Sequence, residues 1–210
     1  MKARRSNVRR RSRRSRFQPR ASRASFGSGK KDSREDEPTV TAALGASILN
    51  AWSTNDRTTI FLVERLPDAL WRASVPGSPR RTIRMLAGHI HNARCMWIKT
   101  LGEPHGIEVP LSVDRRRVSR AQLIHALERS GQGIARLLAF GLEHDGRIPP
   151  TAAYAWRNLP LDVGHVLSYF AAHEGHHRGQ IVMLARQLGH RLPGEVTGGL
   201  WQWTRRSAES

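Results

Sequence analysis

The sequence predicts an all-α fold, a four-helix bundle preceded by a disordered basic N-terminal tail. Three observations carry that expectation. Four segments repeat apolar residues at helical spacing, no convincing alternating strand interrupts them, and residues 1–37 hold almost no large apolar side chains.

The tail comes first. The 210 residues carry 35 Lys/Arg against 17 Asp/Glu, a formal net charge of +18. Residues 1–37 alone hold 14 basic and 4 acidic side chains, a balance of +10. Beyond Val8, Phe17 and Phe26 they have little to bury, so they cannot offset the entropy of ordering. Residues 38–210 are the size of one ordinary domain, long enough for a proper core. A tail this basic suits non-specific nucleic-acid contact through residues 1–37, with a salt slope of about −0.9 per phosphate neutralised. Basic composition is a hint only, and a plainly solvated tail is the reading it favours. The Arg/Ser content overlaps with organelle transit peptides, but the arginines come in blocks (Arg9-Arg10-Arg11, Arg13-Arg14) without an apolar face.

The first helix is expected from Thr41 to about Leu66, where Pro67 stops it, with Leu44, Ile48, Trp52, Thr59, Leu62 and Leu66 on one stripe. Ser78-Pro79 reads as an N-cap followed by proline at the first helical position. It opens a second helix that carries Ile83, Leu86, Ile90, Ala93, Trp97 and Leu101 to Gly102, ahead of Pro104. Ser119-Arg120-Ala121-Gln122 has the form of a capping box. The third helix follows with Leu123, Leu127, Ile134 and Leu138, weakened by Gly131 and Gly133. After a loop bounded by Pro149-Pro150 and Pro160, the fourth carries Val166, Phe170, His173, His177, Ile181, Leu184 and Leu188 to a stop at Gly189. Gly198–Trp203 is expected to fold back over the bundle.

Cys95 is the only cysteine, which excludes an intramolecular disulfide and fits a reducing, cytoplasmic compartment. Six residues after His89, it does not share that histidine's helix face and reads as a small buried hydrophobe. No apolar run reaches the roughly 18 residues of a transmembrane helix, and no apolar stretch of a secretory signal follows the N-terminal arginines.

The chemistry concentrates in His173-Glu174-Gly175-His176-His177-Arg178-Gly179-Gln180. At about 100° per residue, His177 lies about 40° from His173, on one face with Val166, Tyr169, Gln180 and Leu184. These two imidazoles are therefore expected to look inward. His176 stands on one shoulder of that face, Glu174 and Arg178 on the other. Two imidazoles at i and i+4 grip one cation, but a catalytic site commonly takes three protein ligands and keeps one position open. On the second helix His89 borders the apolar stripe while His91 faces away, so His89, His173 and His177 form a geometrically reasonable triad. His91, His105, His125, His144 and His190 read as ordinary satisfied or surface histidines. His165 and His176 stand open between that reading and a supporting role.

His173-Glu174-Gly175-His176-His177 also spells the His-Glu-x-x-His string of zinc metalloproteases, with Glu174 as general base. The longer continuation known in metzincins fails, because Gln180 and Met183 stand where glycine and histidine belong. The fuller string Ala172–Ile181 resembles the last-helix motif of the DinB-like (damage-inducible, YfiT-related) superfamily. Gly88–Trp97, with a histidine eight residues before a tryptophan, resembles that superfamily's second helix, and Asn55-Asp56-Arg57 its first. The resemblance covers residues 41–204 and leaves out the basic tail.

What the resemblance implies is a four-helix bundle, commonly a homodimer, with a divalent metal held by His89, His173 and His177. It further implies a small-molecule substrate and, in some members, transfer of a low-molecular-weight thiol such as mycothiol or bacillithiol. Imidazole ligands suit Zn, Ni, Fe or Cu alike. Such an ion lowers the pKa of bound water to about 7 or stabilises a thiolate, with His176, Tyr169 and Glu174 as the available proton acceptors. The expected function is therefore a divalent-metal-dependent thiol transferase or small-molecule hydrolase. The alternatives are a non-catalytic metal-binding bundle whose tail contacts nucleic acid and, behind it, the zinc metalloprotease.

Overall fold

The computed structural model describes residues 40–155 and 157–209; the tail expected to be disordered lies outside them. The chain enters on α1 (Val40–Arg65), makes the short α2 (Asp68–Trp71) and turns through a hairpin of β1 (Ser74–Val75) and β2 (Ser78–Thr82). Then come α3 (Ile83–Trp97), α4 (Arg120–Glu143) and α5 (Val163–Gln187), followed by the short α6 (Gly194–Gly199) and α7 (Trp203–Ser207). The fold is all-α apart from the hairpin. The four long helices α1, α3, α4 and α5 pack against one another, and α7 returns onto α1.

The hairpin corrects the expectation that no strand occurs and that Ser78-Pro79 starts a helix. Val75-Pro76-Gly77-Ser78 supplies proline and then glycine at the centre of a turn, and Gly77 takes φ +71°, a value that an L side chain rarely adopts. Ser78 pairs with Val75 and Thr82 with Ser74 in antiparallel register. Helix capping passes to Thr82, whose extended backbone lets its hydroxyl accept from Met85 N at 3.2 Å. Past Trp97 the helix widens into a π turn over Ile98–Gly102, and Gly106, with φ +78°, reverses the chain after the next turn. The capping box at Ser119 and Gln122 forms in both directions, 3.2 Å one way and 2.9 Å the other. Asp162 caps α5 by accepting from His165 N.

Apolar side chains form two clusters along the helices. One gathers Leu62, Leu66, Ile83, Ile90, Leu127 and Ile181. The other gathers Trp52, Trp97, Ile134, Leu138, Val166 and Phe170. Each long helix passes from one cluster to the other through polar residues: Asn55 and Thr59 on α1, Arg94 on α3, Ser130 on α4, Glu174 and Arg178 on α5, all buried. A polar layer therefore divides the apolar interior. Gly131 belongs to it: a Cβ there would collide with the Asp56 carboxylate, and its carbonyl accepts from Trp52 Nε1 at 2.8 Å. The glycine that weakens the third helix locally is what lets α1 and α4 come this close.

Among the described residues, no helix is long and apolar enough to cross a membrane.

Candidate metal centre

α3 and α5 lie side by side, and His89, His173 and His177 meet between them. One ring nitrogen of each lies within 4.8 Å of the other two. His177 Nε2 stands 3.2 Å from His173 Nε2, a direct result of their one-turn spacing on α5. The His89 ring reaches across from α3, with centroids 5.3 Å from His173 and 4.7 Å from His177. All three are half-buried. Tetrahedral nitrogen ligands at about 2.0–2.1 Å from a zinc-sized ion sit roughly 3.3–3.4 Å apart. The His173–His177 pair already has that spacing, and His89 has at most roughly 1.5 Å to close.

Protonation favours the same use. Burial, then the neighbouring His177 and His89, push the His173 pKa down to about 4. Burial also lowers His89, with His177 and Arg115 adding to it, and lowers His177 against the opposing effect of Gln180. Neutral imidazoles with free lone pairs are the form that a cation needs. His177 Nδ1 donates to Gln180 Oε1 at 2.8 Å, which fixes the tautomer and leaves the Nε2 lone pair facing the cluster.

Tyr169 lies one turn before His173, its ring nearly parallel to that imidazole at 5.9 Å and 13°. Its hydroxyl accepts from Trp97 Nε1 at 3.2 Å. The spacing of His89 and Trp97 on α3 thus has a structural reading: the first joins the cluster and the second holds a tyrosine against it. His176 is exposed, 5.1 Å from the His177 ring. His165 is elsewhere, exposed and paired with Asp162 at the start of α5.

Glu174 departs from the sequence reading. Hydropathy places it and Arg178 on a shoulder of α5, with His173 and His177 inward. The structure reverses this: Glu174 and Arg178 are buried at the centre of the inner face and the two histidines occupy its edge. Arg94 meets Glu174 with a two-pronged contact, Nε to Oε1 at 2.7 Å and Nη2 to Oε2 at 2.8 Å. Asn55 and Thr59 donate to Oε2 as well. Burial alone would raise the Glu174 pKa, but the Arg94 charge and hydrogen bonds outweigh it and hold the carboxyl below the usual range. Arg94 also donates to Asp56 at 2.6 Å and to the Leu127 carbonyl, while Arg178 donates to Thr59 and Asn55. Glu174 is therefore a structural anion and not a proton acceptor beside the cluster. The metalloprotease reading loses its general base with it.

Asn55 and Asp56, singled out as a motif of the first helix, find their use in this layer, and Arg57 donates to the carbonyls of Arg206 and Ser207. The signal for the layer was present: Arg94 occupies a core position one turn from Ile90, as Asn55 and Thr59 do between Trp52 and Leu62. His91 does not face solvent either. Residues 111–113 cover that side of α3, Leu111 O and Ser130 Oγ pair with the His91 ring at 3.0 Å, and Asn92 pairs with the Val113 backbone. Cys95 is buried as expected, 3.3 Å from His91 Nε2.

Two neighbouring helices that turn three neutral imidazoles toward one point define an all-α protein with a histidine metal site in prospect. That geometry agrees with the comparison of sequences. The chain belongs to the DinB family, whose model matches residues 39–205. No curated protein and no solved structure matches it.

Proposed function

We propose that His89, His173 and His177 bind a divalent metal ion and that the protein is a metal-dependent enzyme acting on a small molecule, either transferring a thiol to an electrophile or hydrolysing its substrate. The convergence of the three rings between α3 and α5 carries this reading. The residues fit the ion: three uncharged nitrogen donors, two already at coordination spacing, and half-burial that leaves one side open to a ligand. When bound, the cation supplies an uncompensated +2 charge that lowers the pKa of a thiol or water placed beside it.

The chain's own groups do the rest. Gln180 orients His177, and the Arg94–Glu174 pair ties α3 to α5 one residue from His173, which sets how far His89 stands from its partners. Tyr169, steadied by Trp97, and the exposed His176 are the groups placed to take up or return a proton. In the transfer reaction a sulfur–carbon bond forms and the bond to the leaving group breaks; the thiol proton departs with the leaving group. In hydrolysis, water supplies both the new oxygen–carbon bond and the proton. A homodimer in the cytoplasm belongs to the same reading.

In a thiol-consumption assay with a reactive electrophile, metal-loaded protein is expected to accelerate loss of free thiol. The His173→Ala/His177→Ala variant is expected to fall to the uncatalysed rate. Equal rates for the two proteins remove the transferase.

The rival, a non-catalytic metal-binding bundle with a nucleic-acid-binding tail, makes a different prediction. Filter binding against salt is expected to show a slope for the full chain that vanishes on deleting residues 1–37, because the slope counts the phosphates neutralised. A slope unchanged by the deletion takes the tail out of any such contact.

A further inference from the structure

The face of α5 turned away from His173 and His177 bounds a second concavity. Gly175, Gly179 and Met183 stand roughly 200–280° around the helix from His173. Between them and the chain that follows α5 lies a groove of about 520 Å³. Arg186, Arg191, Leu192, Trp201 and Trp203 line it. This volume is within the range of small-molecule sites.

Two properties of the lining point to a ligand. Trp201, Trp203 and Met183 are 82%, 43% and 62% exposed, an open cluster of large apolar side chains on one small surface. No carboxylate lines the groove, and among the described residues neither Arg186 nor Arg191 is engaged in an ion pair. Arg178, also in the lining, is different, since its charge is spent on the Glu174 layer. Flat indole surfaces beside two uncompensated guanidinium groups match a ligand with an aromatic body and an acidic group. A second copy of the chain fits less well, because pairing this face with itself sets arginines against arginines with no acid between them.

We propose that this groove is a ligand site independent of the histidine cluster, and that it takes a small aromatic anion. Arg186 and Arg191 receive the charge, and Trp201 and Trp203 stack on the ring. Gly179 forms part of the floor, where an added Cβ meets nothing within 4 Å. A large side chain there fills the groove without disturbing the helix.

The test uses the full chain at about 0.15 M salt, where exposed charges act over only ~8 Å, with two fluorescent probes of similar shape. Anilinonaphthalene sulfonate carries the anion and phenylnaphthylamine lacks it. The expected result is saturable binding of the sulfonate, at least about tenfold tighter than the neutral probe, as loss of a charge-assisted contact implies. Arg186→Gln/Arg191→Gln should abolish that preference, and Gly179→Trp should block both probes. Trp201→Ala, on an open surface, provides a second variant that should weaken both, and circular dichroism melts confirm that each variant is folded. Equal affinity for the two probes overturns the proposal. So does sulfonate binding that survives Gly179→Trp, or a dimer by light scattering that Gly179→Trp splits.

Discussion

Protein reconstituted with Zn²⁺, Ni²⁺ or Fe²⁺ and then desalted is expected to retain about one metal ion per chain, and the His173→Ala/His177→Ala variant none. Removing two of three ligands leaves a lone imidazole, which no longer chelates. Gln180→Ala is the graded version of the same experiment. It keeps all three ligands but releases the His177 tautomer, and a loss of roughly 10–100-fold in metal affinity is expected. Acid sharpens the test. The lowered pKa values mean that protons compete poorly with the metal, so occupancy should persist as the pH falls below 6.5, the ordinary imidazole value, toward the His173 value of about 4. The sign for stability follows from the same shift. The unfolded chain protonates first, so in the metal-free protein the His173 contribution to stability is fully present above 6.5 and is lost as the pH falls from there toward 4. A wild-type protein that stays metal-free after reconstitution, like the variant, sinks the metal site.

Breaking the Arg94–Glu174 pair should cost more stability than any surface substitution. Glu174 is fully buried and Arg94 nearly so. Truncating one leaves the other charge without its partner, a loss of about 3–5 kcal/mol. Against a net stability of about 5–15 kcal/mol, that is a large fraction of the whole. For a domain of this size, Arg94→Ala or Glu174→Ala should lower the melting temperature by roughly 6–20 °C. The double replacement Arg94→Met/Glu174→Leu should cost less than the two single losses added, because the strongest buried pair is removed as a unit, although Asp56 and Arg178 each lose a partner. The single variants should also bind metal more weakly, although neither side chain touches an imidazole, because the pair sets the spacing of α3 and α5. A single variant that melts within a degree or so of wild type, or a fully additive double, refutes this account.

These two predictions draw on different kinds of information. His173 and His177 were legible as a pair because one helical turn separates them, and the turn is a property of the local chain. His89 was legible as the third member from its position beside an apolar stripe. Its actual approach to the pair depends on α3 and α5 being neighbours, which no local pattern states. The groove beneath Trp201 and Trp203 was less legible still. The sequence suggested that this end of the chain folds back, but not that both indoles would remain open to solvent.

By itself the sequence determined the four long helices, their capping box at Ser119, the turn residues that end them, and the candidate ligand set. All of these rest on interactions over three or four residues or on apolar periodicity. Only the tertiary structure decided which face of α5 is innermost. A hydropathy pattern leaves Glu174 and Arg178 on a shoulder of the face, because an isolated charge cannot be buried at tolerable cost. The cost is cancelled by Arg94, 80 residues away, together with Asn55 and Thr59 on α1. Once those charges occupy the centre of the face, His173 and His177 are turned to its edge, half-buried and within reach of His89.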